Sequence, residues 1–220
     1  MAASHSAPWH ILRPGRLEYG AAWRLQQGLV RARQQGRIGD VLILLEHPPT
    51  YTIGRRGTRD HVLLDPAELA RQDIAVYEVD RGGEVTYHGP GQLVGYPILD
   101  LRGRGRDVHT YVHGLEAILI RTLGDLGIAA ATLPGIVGVW VGLEKIAALG
   151  VRVSRGVTSH GFALNVTTNL DHFTGIIPCG ITDKGVTSLL RVLGRPLPLD
   201  AVADAFLARF LEDYPGPAVD

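Results

Sequence analysis

The sequence predicts an α+β fold in which a mixed β-sheet is flanked by helices. Strand-like and helical segments follow one another without the regular alternation that builds an all-parallel sheet. The valine- and glycine-rich stretch from Ile128 to Val166 has the short alternating runs typical of several β-strands. With 220 residues the chain can bury a complete core, and we expect residues 1–220 to form a single domain.

The first helix is predicted over Leu17–Gln35. Four small or apolar residues recur within it at helical spacing and define one face: Ala21, Leu25, Leu29 and Ala32. The continuous apolar run Val41–Leu45 has the length of a strand and indicates one that is buried. This strand ends before Pro48-Pro49, because two prolines exclude a helix and favour an extended turn.

Short elements lead from this turn into a glycine-rich stretch. Thr50–Ile53 resumes strand character. A short helix is predicted to start at Asp65, since this N-cap residue is followed by proline at the first helical position and glutamate at the third. Ile74–Val79 then predicts a strand that runs directly into the glycines.

The second half of the chain begins with the longest helical pattern. Asp107 can cap a helix over Val108–Leu126, and Gly127 follows as the residue that ends it. After the predicted strands, two helical patterns close the chain, one near Val186–Leu193 and one over Asp200–Tyr214.

Composition excludes several classes of protein. The 22 basic residues balance the 22 acidic residues, so we expect neither nucleic acid nor a membrane as partner. The single cysteine, Cys179, excludes an intramolecular disulfide and favours a cytoplasmic location. The N-terminal residues do not resemble a signal peptide, and no apolar run reaches the roughly 18 residues of a membrane span.

Two glycine-dense turns, Gly82–Gly83 and His88–Gly91, flank the strand-like Val85–Tyr87. Glycine lets the backbone adopt unusual conformations and lets another molecule approach closely. These segments are either two ordinary β-turns or a cradle for a ligand, with Arg81 and His88 at its rims.

Two other patterns do not support a cofactor or metal site. Gly89 and Gly91 superficially resemble a dinucleotide-binding fingerprint, but the spacing to Gly95 is wrong and a strand follows. His109 and His113 are four residues apart on the predicted long helix, yet no HExxH motif accompanies them. We therefore expect no metal.

Cys179 is either a small buried hydrophobe or a nucleophile. A nucleophilic cysteine needs a partner that lowers its pKa or takes its proton, and five residues are candidates: Lys145, Lys184, His88, His160 and His172. Lys145 is one of only two lysines and lies in an apolar, strand-like segment. It is either a solvated edge-strand lysine or one held inside for a reason. Together, these features favour an acyl-transfer site.

Four blocks of the sequence resemble the lipoyl(octanoyl) transferases, the octanoyl-[acyl-carrier-protein]:protein N-octanoyltransferase family. They are EHPPTYTIG, RGGEVTYHGPGQLVGYPILDL, KIAALGVRVSRGVTSHGFALNV and GIIPCGI, and they occur in the family's order between Glu46 and Ser188. The resemblance implies a fold similar to the biotin/lipoate protein ligase catalytic domain. It also implies transfer of an octanoyl or lipoyl group to a lysine of a lipoyl domain.

The resemblance assigns roles to individual residues. Cys179 would form an acyl-thioester intermediate, and Lys145 would lower the pKa of its thiol. The residues that would line the substrate site are Arg81, Gly82, Gly83, Glu84, Val85, Thr86, Tyr87, His88, Ala148, Leu149, Gly150, Gly161, Phe162 and Ala163. Backbone amides of Gly82–Gly83, Gly161 or Gly180 are candidates to stabilise the oxyanion.

The resemblance also implies the partners. Octanoyl-acyl carrier protein would be the donor, and lipoyl domains of 2-oxoacid dehydrogenase E2 subunits and the glycine cleavage H protein would be acceptors. The reaction would need no cofactor, and the enzyme would be a monomer. Exposed arginines are expected to dock these partners: Arg55, Arg56, Arg152 and Arg155. The alternatives are an ATP-dependent lipoate or biotin ligase, a non-catalytic binding module and a cysteine hydrolase.

Overall fold

The β-strands form two sheets in the computed structural model, which describes residues 8–105, 107–177 and 184–219. In chain order the strands of these residues are β1 (Trp9–Arg16), β2 (Val41–Glu46), β3 (Thr50–Ile53), β4 (Ala75–Glu78), β5 (Val85–His88), β6 (Gln92–Ile98), β7 (Ala131–Leu133), β8 (Ile136–Val141), β9 (Glu144–Ser154), β10 (Val157–Asn165), β11 (Gly185–Val186) and β12 (Ala218–Val219).

The larger sheet has the strand order β12-β1-β2-β6-β10-β9-β8-β7, and β11 pairs with β9 beside this path. The pairs β12/β1, β1/β2 and β11/β9 run parallel, whereas the other pairs run antiparallel. The smaller sheet has the order β4-β3-β5, with β4 parallel and β5 antiparallel to β3. Both sheets are mixed, which confirms the predicted sheet type.

Helices cover both faces of the larger sheet. In chain order they are α1 (Tyr19–Gln34), α2 (Pro66–Arg71), α3 (Val108–Asp125), α4 (Leu189–Leu193) and α5 (Leu199–Asp213). The helices α3 and α5 pack against a core that includes Leu42 and Leu164, whereas α1 packs on the other face against Ile43 and Val94. Leu42 and Ile43 point to opposite faces because side chains alternate along a strand. Among the described residues, no helix is both long and apolar enough to cross a membrane.

Most predicted elements are present within a few residues of their expected bounds. The strands predicted after the first helix correspond to β2 and β3, and the longest helical pattern corresponds to α3. The carboxylate of Asp107 caps α3 by accepting the backbone N–H of Thr110 at 2.7 Å. Asp65 caps α2 in the same way, through the N–H of Glu68 at 2.8 Å. Both predicted helix starts are therefore confirmed.

Three strands differ from the prediction. Trp9–Arg16 and Ala218–Val219 pair with each other at one edge of the larger sheet, although neither was predicted as a strand. The helix predicted near Val186–Leu193 starts later than expected, since Val186 lies in the strand Gly185–Val186, which pairs with β9. The helix begins only at Leu189, because the side chain of Ser188 caps it by accepting the N–H of Arg191. Parallel pairing between distant segments leaves little local signal in the sequence.

The buried face of α1 also differs from the prediction. Tyr19, Ala22 and Gln26 are buried, whereas Leu25 is 36% exposed. Gln26 occupies this face because its side-chain oxygen accepts the backbone N–H of His160 at 2.8 Å. The buried positions Ala22 and Gln26 therefore each follow by one residue the expected positions Ala21 and Leu25.

Candidate active site

A cavity of about 740 Å³ is lined by both sheets, by α1 and α3, and by the glycine-rich turn that follows β4. At its outer end lie exposed side chains, among them Arg55, Val108 and Val137. At its inner end lie buried side chains, among them His88 and Phe162. The cavity therefore leads from solvent into the core, as ligand sites commonly do.

The cavity brings together nearly all of the predicted substrate residues. Every residue that the resemblance assigns to the substrate site lines it, except Tyr87. Tyr87 is buried in the core of the smaller sheet, where its ring packs against Tyr51, His172 and Phe173. Along β5 the side chains of Thr86 and His88 alternate with that of Tyr87, which points into this core. Val85, at the start of the strand, belongs to the same core but also borders the cavity.

The turn Gly82–Gly83 lies directly against β9. The backbone N–H of Gly82 donates to the carbonyl of Val151 at 2.9 Å, so this amide is already engaged. A Cβ at Gly150 would lie 2.7 Å from the carbonyl oxygen of Gly82, and one at Gly54 would lie 2.5 Å from that of Gly83. These backbone approaches require glycine on both sides of the turn.

The side chain of Arg81 holds this turn in place. The residue is only 7% exposed, and Nη2 donates to the carbonyl oxygens of Thr52 at 2.7 Å and Glu84 at 2.8 Å. Nη1 donates to the carbonyl of Gly82 at 3.0 Å. The side chain therefore joins β3 to the glycine turn and fixes the position of this cavity wall.

His88 is a neutral, fixed imidazole at the inner end of the cavity. Burial is the main cause that holds its pKa well below the usual value, with smaller contributions from nearby His47 and Arg81. Its Nδ1–H donates to Oε1 of Gln92 at 2.8 Å, and its Nε2 lies 3.3 Å from Oγ1 of Thr52. Both ring nitrogens therefore have partners, and the imidazole is held in one orientation.

Lys145 lies on β9, between β8 and β11, and its side chain lines the cavity. It is therefore not an edge-strand lysine. Its Nζ lies 4.8 Å from the ring centroid of Trp140, within the range of a cation–π contact. Its backbone carbonyl accepts the N–H of Thr187 at 3.0 Å, which links the strand to the segment after β11.

Cys179 and Gly180 lie outside the described residues. The described chain on one side ends at Ile177, whose N–H donates to the carbonyl of His61 at 2.9 Å. On the other side it resumes at Lys184, which lines the same cavity as Lys145.

His160, a candidate partner of the cysteine, lies at a different part of the cavity from Lys145. It pairs with Val151, six residues along β9 from Lys145, or roughly 20 Å at strand spacing. Its Nε2–H donates to Oδ1 of Asp80 at 2.8 Å, and this bond is the main cause that lowers the pKa of Asp80. Burial lowers the pKa of His160 despite that partner. Arg152 also bonds Asp80, so its charge is already engaged.

The paired histidines of α3 form a local interaction. Nε2 of His113 lies 3.3 Å from Nε2 of His109, and its Nδ1 lies 2.7 Å from a carboxylate oxygen of Glu116. Within the described ranges, no group of three or more His, Cys, Asp or Glu side chains is arranged to hold a metal.

Comparison with known proteins connects this geometry to a family. The family model described as the lipoyl protein ligase A/B catalytic domain matches residues 18–211. An octanoyltransferase of Chloroflexus aggregans is 52% identical over 197 residues, which cover 88% of this chain and 89% of that relative.

Solved structures show the same fold at low sequence identity. A bipartite lipoate protein ligase from Thermoplasma acidophilum, described with its E2 lipoyl domain, has a TM-score of 0.70 at 17% identity and covers 98% of this chain and 88% of its own. A biotin protein ligase from Aquifex aeolicus has a TM-score of 0.52 at 12% identity, and the match covers 93% of this chain and 68% of that ligase. The predicted fold class and family are confirmed: the chain belongs to the octanoyltransferase family, within the lipoyl protein ligase A/B catalytic-domain group.

Proposed function

We propose that this chain transfers an octanoyl or lipoyl group from acyl carrier protein to a lysine of a lipoyl domain, through an acyl-thioester on Cys179. The observation that carries the proposal is the cavity itself. It combines a glycine turn, an apolar wall that includes Leu149 and Phe162, and Lys145, one of two lysines in the chain. The name of the Chloroflexus relative supports octanoyl as the transferred group.

In the first step the thiolate of Cys179 attacks the carbonyl carbon of the carrier thioester. A new carbon–sulfur bond forms, the bond to the carrier sulfur breaks, and the carrier thiolate takes a proton from the Lys145 ammonium. The ammonium favours the thiolate beforehand, because a nearby positive charge lowers a thiol pKa from about 8.5 to about 6. One thioester replaces another, so this step needs little driving force.

In the second step the amine of the acceptor lysine attacks the Cys179 thioester. Neutral Lys145 accepts the proton from the attacking nitrogen, and the cysteine thiolate leaves. An amide is more stable than a thioester, so the reaction runs downhill. No nucleotide is required, because the acyl group arrives already activated.

The apolar wall supplies affinity for the acyl chain. An octanoyl tail gains roughly 5 kcal/mol on burial, at about 0.8 kcal/mol for each methylene. Because the inner end of the cavity is buried and the outer end is exposed, the tail points inward and the thioester lies toward solvent. Ala148, Ala163 and the glycines leave room beside Leu149 and Phe162.

The proposed biological setting follows the family. The acceptors would be lipoyl domains of E2 subunits and the glycine cleavage H protein, and the reaction would begin endogenous protein lipoylation. We further propose that residues 1–220 act as a single domain, as a monomer, in the cytoplasm.

The test is the intact mass of the protein after incubation with octanoyl-acyl carrier protein, without ATP and without acceptor. We expect one added octanoyl group, no addition to Cys179→Ala, and at least tenfold slower addition to Lys145→Ala. Lys184→Ala is the matched control, because it removes the other lysine of the same cavity. It should acylate at a rate near that of the wild type.

The alternatives give different results. Modification of a lipoyl domain that requires ATP, with no protein adduct, would indicate a ligase. Rapid release of free octanoate in the absence of acceptor would indicate a hydrolase. If no protein adduct, no modified lipoyl domain and no free octanoate are found, the chain is a non-catalytic binding module.

A further inference from the structure

We propose that Gln92 and Asn165 are positioning residues for this reaction, since they join the glycine turn to the backbone of Lys145 through one buried chain of hydrogen bonds. The proposal rests on the proposed function, because Lys145 matters only if it takes part in the chemistry. Neither residue belongs to the substrate site that the resemblance implies.

The chain starts at the glycine turn. Nη2 of Arg81 donates to Oγ1 of Thr52 at 2.9 Å. The Thr52 hydroxyl lies 3.3 Å from Nε2 of His88, and Nδ1 of His88 lies 2.8 Å from Oε1 of Gln92. These contacts cross from the smaller sheet to β6 of the larger sheet.

The chain continues across the larger sheet to β11. Nε2 of Gln92 donates to Oδ1 of Asn165 at 2.9 Å, and Nδ2 of Asn165 donates to the carbonyl of Thr187 at 3.0 Å. The backbone N–H of Thr187 then donates to the carbonyl of Lys145 at 3.0 Å. Side-chain hydrogen bonds therefore run from Arg81 to the carbonyl of Thr187, and the main chain of Thr187 joins them to Lys145.

The donors all point in the same direction. Arg81 only donates, so the Thr52 hydroxyl accepts from it and donates its own proton to Nε2 of His88. Neutral His88 then carries its proton on Nδ1, which makes the Gln92 oxygen the acceptor and the Gln92 nitrogen the next donor. Bonds aligned in this way polarise one another as far as the carbonyl of Thr187, and cutting one link weakens those beyond it. From there to Lys145 the coupling is positional, since Asn165 fixes the Thr187 main chain whose N–H donates to Lys145.

Burial makes every link matter. The side chains of Thr52, Arg81, His88, Gln92 and Asn165 are each 7% exposed or less. A donor or acceptor that loses its partner at such a position either stays unsatisfied or takes up a water from the cavity, which Arg81, His88, Gln92 and Asn165 line, and both outcomes disturb the cavity wall.

The end of the chain lies at the reacting side of the cavity. Val186 of β11 pairs with Lys145 of β9, and β11 contains only two residues, Gly185–Val186. So short a strand gains little from pairing alone, and the bond from Asn165 to Thr187 holds it against β9. The chain therefore sets the spacing between the Lys145 backbone and the segment that follows the cysteine.

Two isosteric variants test this proposal: Asn165→Asp and Gln92→Glu. Each keeps the shape and the acceptor of the side chain but removes the donating nitrogen, which in Gln92 also donates to the carbonyl of Tyr87 at 3.1 Å. Because a carboxylate beside the cavity can itself raise a thiol pKa, the uncharged variants Asn165→Leu and Gln92→Met are measured alongside and must show the same rise. The readout is the pH profile of alkylation of Cys179, which is unambiguous because the chain has one cysteine. We expect its midpoint to rise toward the ordinary thiol value of about 8.5 in both variants.

Turnover gives a second readout. We expect kcat to fall at least fivefold while KM for the octanoyl carrier stays within twofold. The kcat of the double variant should lie within twofold of that of either single variant, because all three variants break the same chain of hydrogen bonds. A merely structural role would lower the melting temperature without moving the thiol titration.

The matched control is Gln26→Glu, which makes the same amide-to-acid change at an equally buried position outside the chain. The oxygen of Gln26 accepts the N–H of His160, and glutamate keeps that acceptor. This variant should keep the wild-type thiol titration.

An unchanged titration and kcat within twofold in Asn165→Asp would overturn the proposal. If that variant does not fold, Gln92→Glu decides by the same criteria. A wild-type thiol that titrates near 8.5, together with an active Cys179→Ser variant, would overturn the proposed function instead.

Discussion

Gly150 shows how a single hydrogen atom in place of a methyl group shapes the cavity. A Cβ at this position would lie 2.7 Å from the carbonyl oxygen of Gly82, a backbone atom that cannot rotate away. We therefore expect Gly150→Ala to displace the glycine turn, lower kcat/KM for the octanoyl carrier at least tenfold, and destabilise the fold by about 1–3 kcal/mol.

Gly124→Ala is the control for this substitution. Gly124 lies on α3 with no atom within 4 Å of an added Cβ, so alanine should keep full activity and increase stability by about 0.5–1 kcal/mol. Steady-state kinetics and urea unfolding of both variants check this prediction. Equal activity of the two variants would show that the turn tolerates displacement.

His47 makes the stability of the fold depend on pH. Burial lowers its pKa from 6.5 to about 4. Its Nδ1–H donates to the carbonyl of Leu17 at 2.7 Å, and its Nε2 lies 2.8 Å from the hydroxyl of Tyr96. Since the unfolded chain protonates this imidazole first, the free energy of unfolding falls as the pH drops from about 6.5 to about 4, by about 3 kcal/mol.

The measurement is urea unfolding at pH 7, 5.5 and 4.5 for the wild type and for His47→Gln. The variant is expected to be less stable at pH 7 but to lose less stability on acidification, since glutamine does not titrate. Parallel losses in the two proteins would show that other groups cause the acid sensitivity.

At the scale of elements, the sequence predicted what depends on local chemistry. The starts of α2 and α3 follow from the caps at Asp65 and Asp107, and the strand β2 follows from a continuous apolar run. The strands β1, β11 and β12 were missed, because each is defined by a parallel partner distant in the sequence.

For the cavity too, features set by local sequence were predicted and those set by distant pairing were not. A glycine-rich turn and a scarce lysine are visible in a sequence, and Gly82–Gly83 and Lys145 line the same cavity, although at different parts of it. Gly89 and Gly91 of the second predicted turn do not line it. The buried chain through Thr52, Gln92 and Asn165 was not predicted, because three polar residues of separate strands carry no signal until β6 and β10 pair. The predicted face of α1 was only partly right for a related reason: Leu29 packs against the core, but Leu25 is exposed and Gln26 is buried by its bond to β10.

At the scale of the molecule, the chain has no net charge, but two positively charged side chains lie together at the outer end of the cavity. Arg55 and Arg56 are exposed at its outer end and form no ion pair within the described part of the chain. Their backbone N–H groups donate to the carbonyls of Arg81 at 3.0 Å and Gly83 at 3.1 Å, so the turn that carries them is fixed to the glycine turn. Of the arginines expected to dock partners, Arg152 instead pairs with Asp80.

An acidic carrier that delivers an acyl group into this cavity would approach Arg55 and Arg56 first. We therefore expect the double variant Arg55→Glu and Arg56→Glu to raise KM for octanoyl-acyl carrier protein at least tenfold at low salt, with little change in kcat. The effect should shrink at 0.5 M salt, because charges on the surface are already screened beyond about 10 Å at 0.1 M. Arg37→Glu, at an exposed position that does not line the cavity, makes one such charge reversal elsewhere and should leave KM unchanged.

A small donor separates docking from chemistry. Octanoyl-pantetheine carries the same thioester without the protein surface, so the double variant should use it as well as the wild type does. Loss of activity with this small donor would mean that the arginines act on the acyl group itself. An unchanged KM for the carrier at low salt would mean that the carrier docks on another face, and the exposed Val108 and Val137 at the same end of the cavity would then be the next surface to test.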